Sequence, residues 1–334
     1  MLERGTSYFG VRNVDHATRD LDRFADAGLN AVLHTFSERD LQYYRGTLER
    51  TIEASHERGF TVYVNPWGVG RVFGGEALSE FVGRHPEARQ RLSSGDAVPA
   101  ACFNHPTFRR FVQEWTEAAV GIGADVVFWD EPHWFISEWA DVDVPEGAWA
   151  CHCDHCQRAY ERRYDEPLPD ERTDRTDEFR EESLLEFLEE TMAVVRDAGA
   201  RNAVCLLPRQ DAAHGLSDWD TLAASDHLDV FATDPYWDAF EHATDATSFV
   251  AEYTDRVVAL ADQYDLQSQI WIQGFRLDDD PETIRTVEKA TKTAVEGGVD
   301  SVFTWGYDGC ASISSIACDD PEAVWNTYLD ALPD

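Results

Sequence analysis

Lysine is almost missing from this chain of 334 residues: only Lys289 and Lys292 occur, and the rest of its 28 basic residues are arginine. Positive charge of any kind is scarce beside 64 acidic residues, and the formal net charge is −36. Such a surplus of carboxylates repels phosphate backbones and anionic lipid at low salt, so neither nucleic acid nor a membrane is an expected partner. Long apolar runs are absent as well. No stretch of 18 apolar residues occurs, so no transmembrane helix is expected. The start, Met1-Leu2-Glu3-Arg4-Gly5, has no apolar signal-peptide core, and the expectation is a cytoplasmic protein. The seven cysteines fit that compartment, because four fall in a metal-like pattern and the others show no spacing of a disulfide framework.

With 43% hydrophobic residues the chain can bury a sizeable core, which excludes general disorder. A carboxylate-coated, nearly lysine-free surface is the composition of a protein kept soluble at molar salt, so a halophilic source of haloarchaeal type is expected. The organisation is a regular alternation. Short runs rich in Val, Ile, Phe and Tyr at 8–12, 31–35, 61–65, 125–130, 203–207, 230–234, 269–273 and 301–305 read as strands. Stretches of helical period separate them, such as 15–27, where Ala17, Leu21, Phe24 and Ala25 share a face, and 281–296, which opens on Pro281. A glycine marks the helix-to-strand turn at Gly28, Gly59, Gly123, Gly199 and Gly297-Gly298, as a helix C′ position favours.

Strands that alternate with helices and are apolar along their length need a parallel sheet covered on its outside. Eight such units predict a (β/α)8 TIM barrel, α/β in class, as a single domain over 1–334. The competing doubly wound sheet wants a Gly-rich phosphate loop after its first strand, and Val11-Arg12-Asn13-Val14-Asp15-His16 is none. Two insertions interrupt the repeat, at 71–104 after the third strand and at 132–177 after the fourth. Both fall on the face where barrel enzymes keep their chemistry.

The second insertion contains Cys151-His152-Cys153-Asp154-His155-Cys156. Three thiolates within six residues suit one tetrahedral zinc that takes a fourth soft ligand from elsewhere. Cys102 in the first insertion is the leading candidate, with His155 and His152 in reserve. Four protein ligands would make this zinc structural and pin the two insertions together beside the barrel mouth.

Cys102-Phe103-Asn104-His105-Pro106-Thr107-Phe108, followed by Cys151-His152-Cys153-Asp154-His155-Cys156-Gln157-Arg158-Ala159-Tyr160, resembles the zinc-binding segment of glycoside hydrolase family 42 β-galactosidases. The resemblance covers about 60 residues and implies a structural zinc and carbohydrate hydrolysis. It also implies an acid/base glutamate at the end of the fourth strand, where this chain has Phe128-Trp129-Asp130-Glu131-Pro132. The departure is at the seventh strand. That family carries a nucleophilic glutamate there, whereas this chain reads Trp271-Ile272-Gln273-Gly274-Phe275, and a glutamine cannot attack a sugar carbon.

The strand ends give a chemical inventory of their own. They offer Arg12 and Asn13, His34, Asn65 with Trp67, Asp130 with Glu131 and His133, Asp234 with Tyr236 and Trp237, Gln273, and Trp305 with Tyr307 and Asp308. Cleaving an acetal takes a protonated acid at the leaving oxygen and a second group that stabilises or traps the oxocarbenium ion. Glu131 is expected as the acid, with Asp234 or Asp130 as second carboxylate. Three versions stay open: Glu131 with Asp234; Asp130 as nucleophile with Asp234 as acid; and a substrate-assisted one. In the last, the Asp-Glu pair resembles that of hexosaminidases in which the Asp positions a 2-acetamido group and the Glu protonates the leaving group. Helix capping is the structural reading of Glu131-Pro132 and Asp234-Pro235.

Six of the eleven tryptophans (Trp67, Trp129, Trp134, Trp237, Trp271 and Trp305) fall at or next to strand ends, where indole packs on the flat C–H faces of sugars. Trp67, Trp237 and Trp305 are the expected pocket members, and Trp129 and Trp271 the expected core ones. His34, Asn65, His133, Tyr236 and Gln273 are expected to bind sugar hydroxyls. The sequence therefore predicts a glycosidase acting on a short oligosaccharide or glycoside. A TIM-barrel hydrolase or lyase with a catalytic zinc and a non-catalytic sugar-binding barrel are the alternatives. The oligomeric state is left open.

Overall fold

A computed structural model of the chain describes residues 1–140, 142–209, 214–240, 245–310 and 315–333. Its elements begin β1 (Glu3–Tyr8), α1 (Val14–Asp26), β2 (Ala31–Thr35), α2 (Arg45–His56) and β3 (Thr61–Asn65). The first insertion holds α3 (Glu80–Arg84), β4 (Arg89–Arg91) and β5 (Ala97–Ala101), after which come α4 (Pro106–Gly121) and β6 (Val126–Asp130). The chain continues through α5 (Asp154–Tyr164), α6 (Asp174–Asp197), β7 (Arg201–Leu206), α7 (Trp219–Ala223) and β8 (Val230–Thr233). It closes with α8 (Ala246–Tyr264), β9 (Gln267–Gln273), α9 (Pro281–Glu296), β10 (Ser301–Trp305) and α10 (Pro321–Ala331). Eight parallel strands form a closed barrel in the order β1-β10-β9-β8-β7-β6-β3-β2, while β4 and β5 make a separate antiparallel ribbon. This is a (β/α)8 barrel.

Alternation along each strand sorts the side chains into two cores. Leu33, Tyr63, Val126, Phe128, Cys205, Ala232, Trp271 and Phe303 fill the barrel interior. The Tyr63–Phe303, Phe128–Trp271 and Trp271–Phe303 rings meet with centroids 5.1, 5.1 and 4.8 Å apart. Each such ring removed from water stabilises by about 1.5–3 kcal/mol. Val32, Val62, Val64, Val127, Val204, Ile270, Ile272 and Val302 point the other way, into the layer beneath the helices. The interior is packed solid, so a ligand meets the barrel at its mouth.

The first strand lies earlier than its expected 8–12. Residues Glu3–Tyr8 carry little apolar character because their lower end is polar, with the Tyr63 hydroxyl donating to Glu3 Oε2 at 2.6 Å. Gly5 lies against the Phe303 ring, where an added Cβ would come within 2.4 Å of Cε1. Arg12 and Asn13 consequently fall beyond the strand: Arg12 pairs with Asp40 at 2.8 Å, and Asn13 caps α1 by accepting from the His16 amide at 3.1 Å. The other strands match their expected places to within two residues. β8 ends at Thr233, so Asp234 is the first residue past it.

Both insertions leave the C-terminal ends of their strands and are sewn together by backbone. Ser93 N–H donates to the Trp149 carbonyl at 2.9 Å and His152 N–H to the Arg91 carbonyl at 2.7 Å, flanking a bridge between Leu92 and Ala150. Among the described residues no helix is long and apolar enough to cross a membrane.

Candidate functional site

β6 sends Val126 and Phe128 into the barrel, and the same alternation brings Asp130 to the mouth. β8 sends Val230 and Ala232 inward and is followed by Asp234, which is 2% exposed. Between them β7 contributes Cys205, whose buried thiol is held neutral by burial and by the neighbouring acids. Asn65, at the end of β3, donates from Nδ2 to Asp130 Oδ2 at 2.8 Å. Glu131, half-buried as a residue, sits in a left-handed turn with φ +43°, and its carboxyl is hydrogen-bonded to that of Asp234. Two carboxyls in such contact hold a proton between them.

Gly74, in the first insertion, covers this cluster. Its amide donates to the Asp130 carbonyl at 2.9 Å. A Cβ on Gly74 would lie 2.7 Å from Glu131 Oε2 and 3.1 Å from Asp130 Cγ, so no larger residue fits without displacing both carboxyls.

Burial is the largest influence on all three acids and raises each above the usual carboxylate range. For Asp130 the charge of Glu131 adds to burial, while the Asn65 hydrogen bond opposes it. For Glu131 the hydrogen bond from Asp234 opposes burial, and Glu76 adds to it. For Asp234 both the charge and the hydrogen bond of Glu131 add, followed by the charge of Asp130. Three acids so coupled resist full ionisation on the way to neutral pH, so the cluster holds a proton to higher pH than separate carboxylates would. His133 is neutral there, its pKa pushed down to about 4 chiefly by burial. Its Nδ1–H donates to the Glu131 carbonyl at 2.5 Å, and its ring meets Trp139 edge-on at 5.0 Å.

Above the acids lies a cavity of about 600 Å³. Of the residues expected from the sequence, Asp130, Glu131, His133, Asp234, Tyr236 and Trp305 line it. Trp305 stacks on Phe9 at 5.2 Å, and Tyr236 meets Phe275 edge-on at 5.1 Å. Asn65 stands behind Asp130 and reaches the site through it.

Four expected residues lie elsewhere. His34 follows Val32 to the outside of the barrel, where Nε2 meets Ser55 Oγ of α2 at 2.9 Å; burial takes its pKa down to about 3. Trp237 is 2% exposed within the outer core. Gln273 accepts from the Asp238 amide at 3.0 Å and donates to the Phe275 carbonyl at 3.1 Å, so it ties together the loops that present Tyr236 and Phe275. Trp67 packs on Phe9 at 5.4 Å and donates from Nε1 to Glu76 Oε2 at 3.2 Å, behind the rim. The rest of the wall comes from loops that strand-end reasoning passed over: Arg71, Phe73 and Glu76 from the first insertion, Trp139 from the second, and Phe240, Phe275 and Arg276. The one sequence signal for them was their place in segments that follow barrel strands.

The fold is shared with solved structures. A catalytic domain of β-amylase from Paenibacillus polymyxa superposes with a TM-score of 0.67 at 11% identity, over 99% of each chain. An endo-1,4-β-mannanase from Rhizomucor miehei gives 0.63 at 12% identity, over 99% of this chain and 94% of that one. A GH5_18 protein from Streptomyces cattleya in complex with GlcNAc gives 0.58 at 12%, over 99% and 79%. The likeness is one of fold. No family model matches the chain, and no curated protein matched it.

The cysteine cluster lies where the two insertions meet. The Sγ atoms of Cys102, Cys151, Cys153 and Cys156 are buried and all within 4.8 Å of one another, with Cys102 at 3.4 Å from Cys156 and 3.5 Å from Cys153. Zinc–sulfur bonds of about 2.3 Å in a tetrahedron put sulfurs about 3.8 Å apart, so these four thiols can hold a metal ion of that kind. The two reserve ligands are used otherwise. His152 Nε2 meets the Pro169 carbonyl at 2.7 Å, and His155 stands edge-on to His105 at 4.4 Å.

Proposed function

We propose that the chain is a glycoside hydrolase built as a single (β/α)8 domain, with a short oligosaccharide or glycoside as substrate. The observation that carries this reading is the hydrogen-bonded Glu131–Asp234 pair beside Asp130, at the floor of a cavity walled by Trp305, Tyr236, Phe275 and Trp139. Glu131, the more exposed of the pair, is the general acid. The proton it delivers is the one it shares with Asp234, because two ionised carboxylates in contact repel. A pair in hydrogen-bond contact has no room for a sugar carbon between its members, since acid and nucleophile in retaining enzymes stand about 5–5.5 Å apart. The second carboxylate is therefore Asp130, held by Asn65. Asp130 either traps the sugar carbon itself or orients a 2-acetamido group of the substrate that does so.

The four cysteines take a structural zinc in this reading. Four sulfurs close the tetrahedron and leave no open position, which removes support from a catalytic zinc. The zinc would staple the insertion at 132–177 to that at 71–104, holding Gly74 against the acids. Two lysines and a charge of −36 support a halophilic protein, and seven unpaired cysteines support a reducing, cytoplasmic compartment.

Release of aglycone from aryl α- and β-glycosides, 2-acetamido sugars included, tests the reading in molar KCl. Turnover on at least one sugar, lost in Glu131→Gln, supports it. A preference for 2-acetamido sugars assigns Asp130 the orienting role, and turnover without one assigns it the trapping role. Sugar binding with no turnover would leave the non-catalytic barrel.

A further inference from the structure

Two arginines, Arg71 (half-buried) and Arg276 (exposed), line the cavity, and their pairing is unlike that of the arginines elsewhere on the surface. Arg39, Arg58 and Arg163, for example, reach carboxylates at 2.8, 2.7 and 2.6 Å, as an acid-rich surface allows. Arg71 and Arg276 line the cavity and, among the described residues, neither side chain has a hydrogen-bond or ion-pair partner. Nor do they neutralise the acids on the floor. Asp130 and Glu131 are governed by burial, by acidic neighbours and by the hydrogen bonds from Asn65 and Asp234, with no arginine contributing.

Their placement is equally specific. Arg71 follows β3 and Arg276 follows β9, and those two strands stand four places apart either way round the eight-strand barrel. The segments that carry the arginines therefore leave opposite sides of the barrel mouth, with the strands that carry the acids on the arc between. Both have left-handed backbones, φ +55° and +51°, where a non-glycine residue costs on the order of 1 kcal/mol. Two strained residues with unpaired cationic side chains thus border a space whose floor already carries the proton donor.

We propose that the sugar this cavity takes is an acidic one, its carboxylate or sulfate held by Arg71 and Arg276. The inference rests on the hydrolase reading for its chemistry but not for its test. A guanidinium grips a carboxylate or sulfate by paired hydrogen bonds, and such contact survives molar salt, where a Debye length of about 3 Å removes long-range attraction. The net charge of −36 would itself repel an anion at low salt, so affinity for the acidic sugar rises with ionic strength before it levels off.

The experiment is calorimetric titration in molar KCl with glucuronate, galacturonate and mannuronate, each beside its neutral parent, and with galactose 6-sulfate beside galactose. Wild type, Arg71→Met, Arg276→Met and Arg276→Lys are compared, with melting temperatures recorded as a check on folding. The expected result is that at least one acidic sugar binds about tenfold or more tighter than its parent. Either methionine variant removes that preference, and Arg276→Lys restores part of it. The uronates and the sulfate separate the two kinds of anion. Equal binding of acid and parent, a preference that survives both methionine variants, or no binding by any acidic sugar would overturn the proposal. An acidic preference in a protein that hydrolyses nothing would keep this inference and sink the hydrolase reading. Turnover of neutral glycosides indifferent to both arginines would do the reverse.

Discussion

Asp234→Asn should make the protein more stable and less active. Asp234 is 2% exposed, its Oδ1 has no hydrogen-bond partner among the described residues, and its carboxyl lies against that of Glu131. Its folded pKa is raised above the unfolded value of about 3.9. Between those two values the folded state binds more protons than the unfolded one, so stability falls as pH rises through that window and the whole cost is carried above it. An asparagine of the same shape carries no charge and donates to Glu131. Relieving a buried, poorly satisfied charged group is worth about 1–3 kcal/mol. At about 2.1 cal/mol/K per residue, the unfolding entropy of the chain is roughly 0.7 kcal/mol/K, so Tm rises by about 1.5–4 °C. Paired thermal melts at pH 8 and near pH 4 check this: the gain should be present at the first and shrink toward zero at the second. A variant that is less stable at pH 8, or equally stabilised at both, would refute the reasoning.

The remaining predictions concern the cover, the pH response and the metal. Gly74→Ala should fold but lose about 10–100-fold in kcat, because its Cβ displaces Glu131 and Asp130 by several tenths of an ångström; unchanged kcat would show that the two carboxyls need no fixed position. The alkaline limb of kcat/KM should fall at a pKa above the ordinary 4.5 of a glutamate, since burial raises the donor, and Asp234→Asn should move that limb to lower pH; a limb that stays put would remove Asp234 from the proton. The purified chain should carry about one zinc, and Cys102→Ser or chelation should lower Tm by about 5 °C or more while folded protein keeps its turnover. Loss of turnover before stability would mean a catalytic metal.

Much of the fold was legible because buried parallel strands are apolar throughout and helices end on glycine. Val32, Val62, Val127 and Ile270 announce their strands, whereas Glu3–Tyr8 does not, since its half-buried lower end, Glu3 and Arg4, is charged and Gly5, Thr6 and Ser7 follow. The acids Asp130, Glu131 and Asp234 were legible because β6 and β8 fix where they emerge. Side-chain direction was harder. His34 is next to Leu33, and one step along a strand turns a side chain from the interior to the helix layer. Gln273 does point inward, but hydrogen bonds to Asp238 and Phe275 consume both ends of its amide. Arg71 and Trp139 end single 3₁₀ turns and Arg276 stands on a loop, and no period in a sequence says where such residues face.

Dependence on the leaving group tests the central claim most directly. Wild type and Glu131→Gln would be assayed on a 2,4-dinitrophenyl glycoside, which departs without a proton, and on the 4-methylumbelliferyl or alkyl glycoside of the same sugar, which needs one. If Glu131 delivers a proton to the glycosidic oxygen, the variant loses about 10²–10⁴-fold on the poor leaving group and little on the dinitrophenyl one. Equal losses on both, or none on either, would contradict the account.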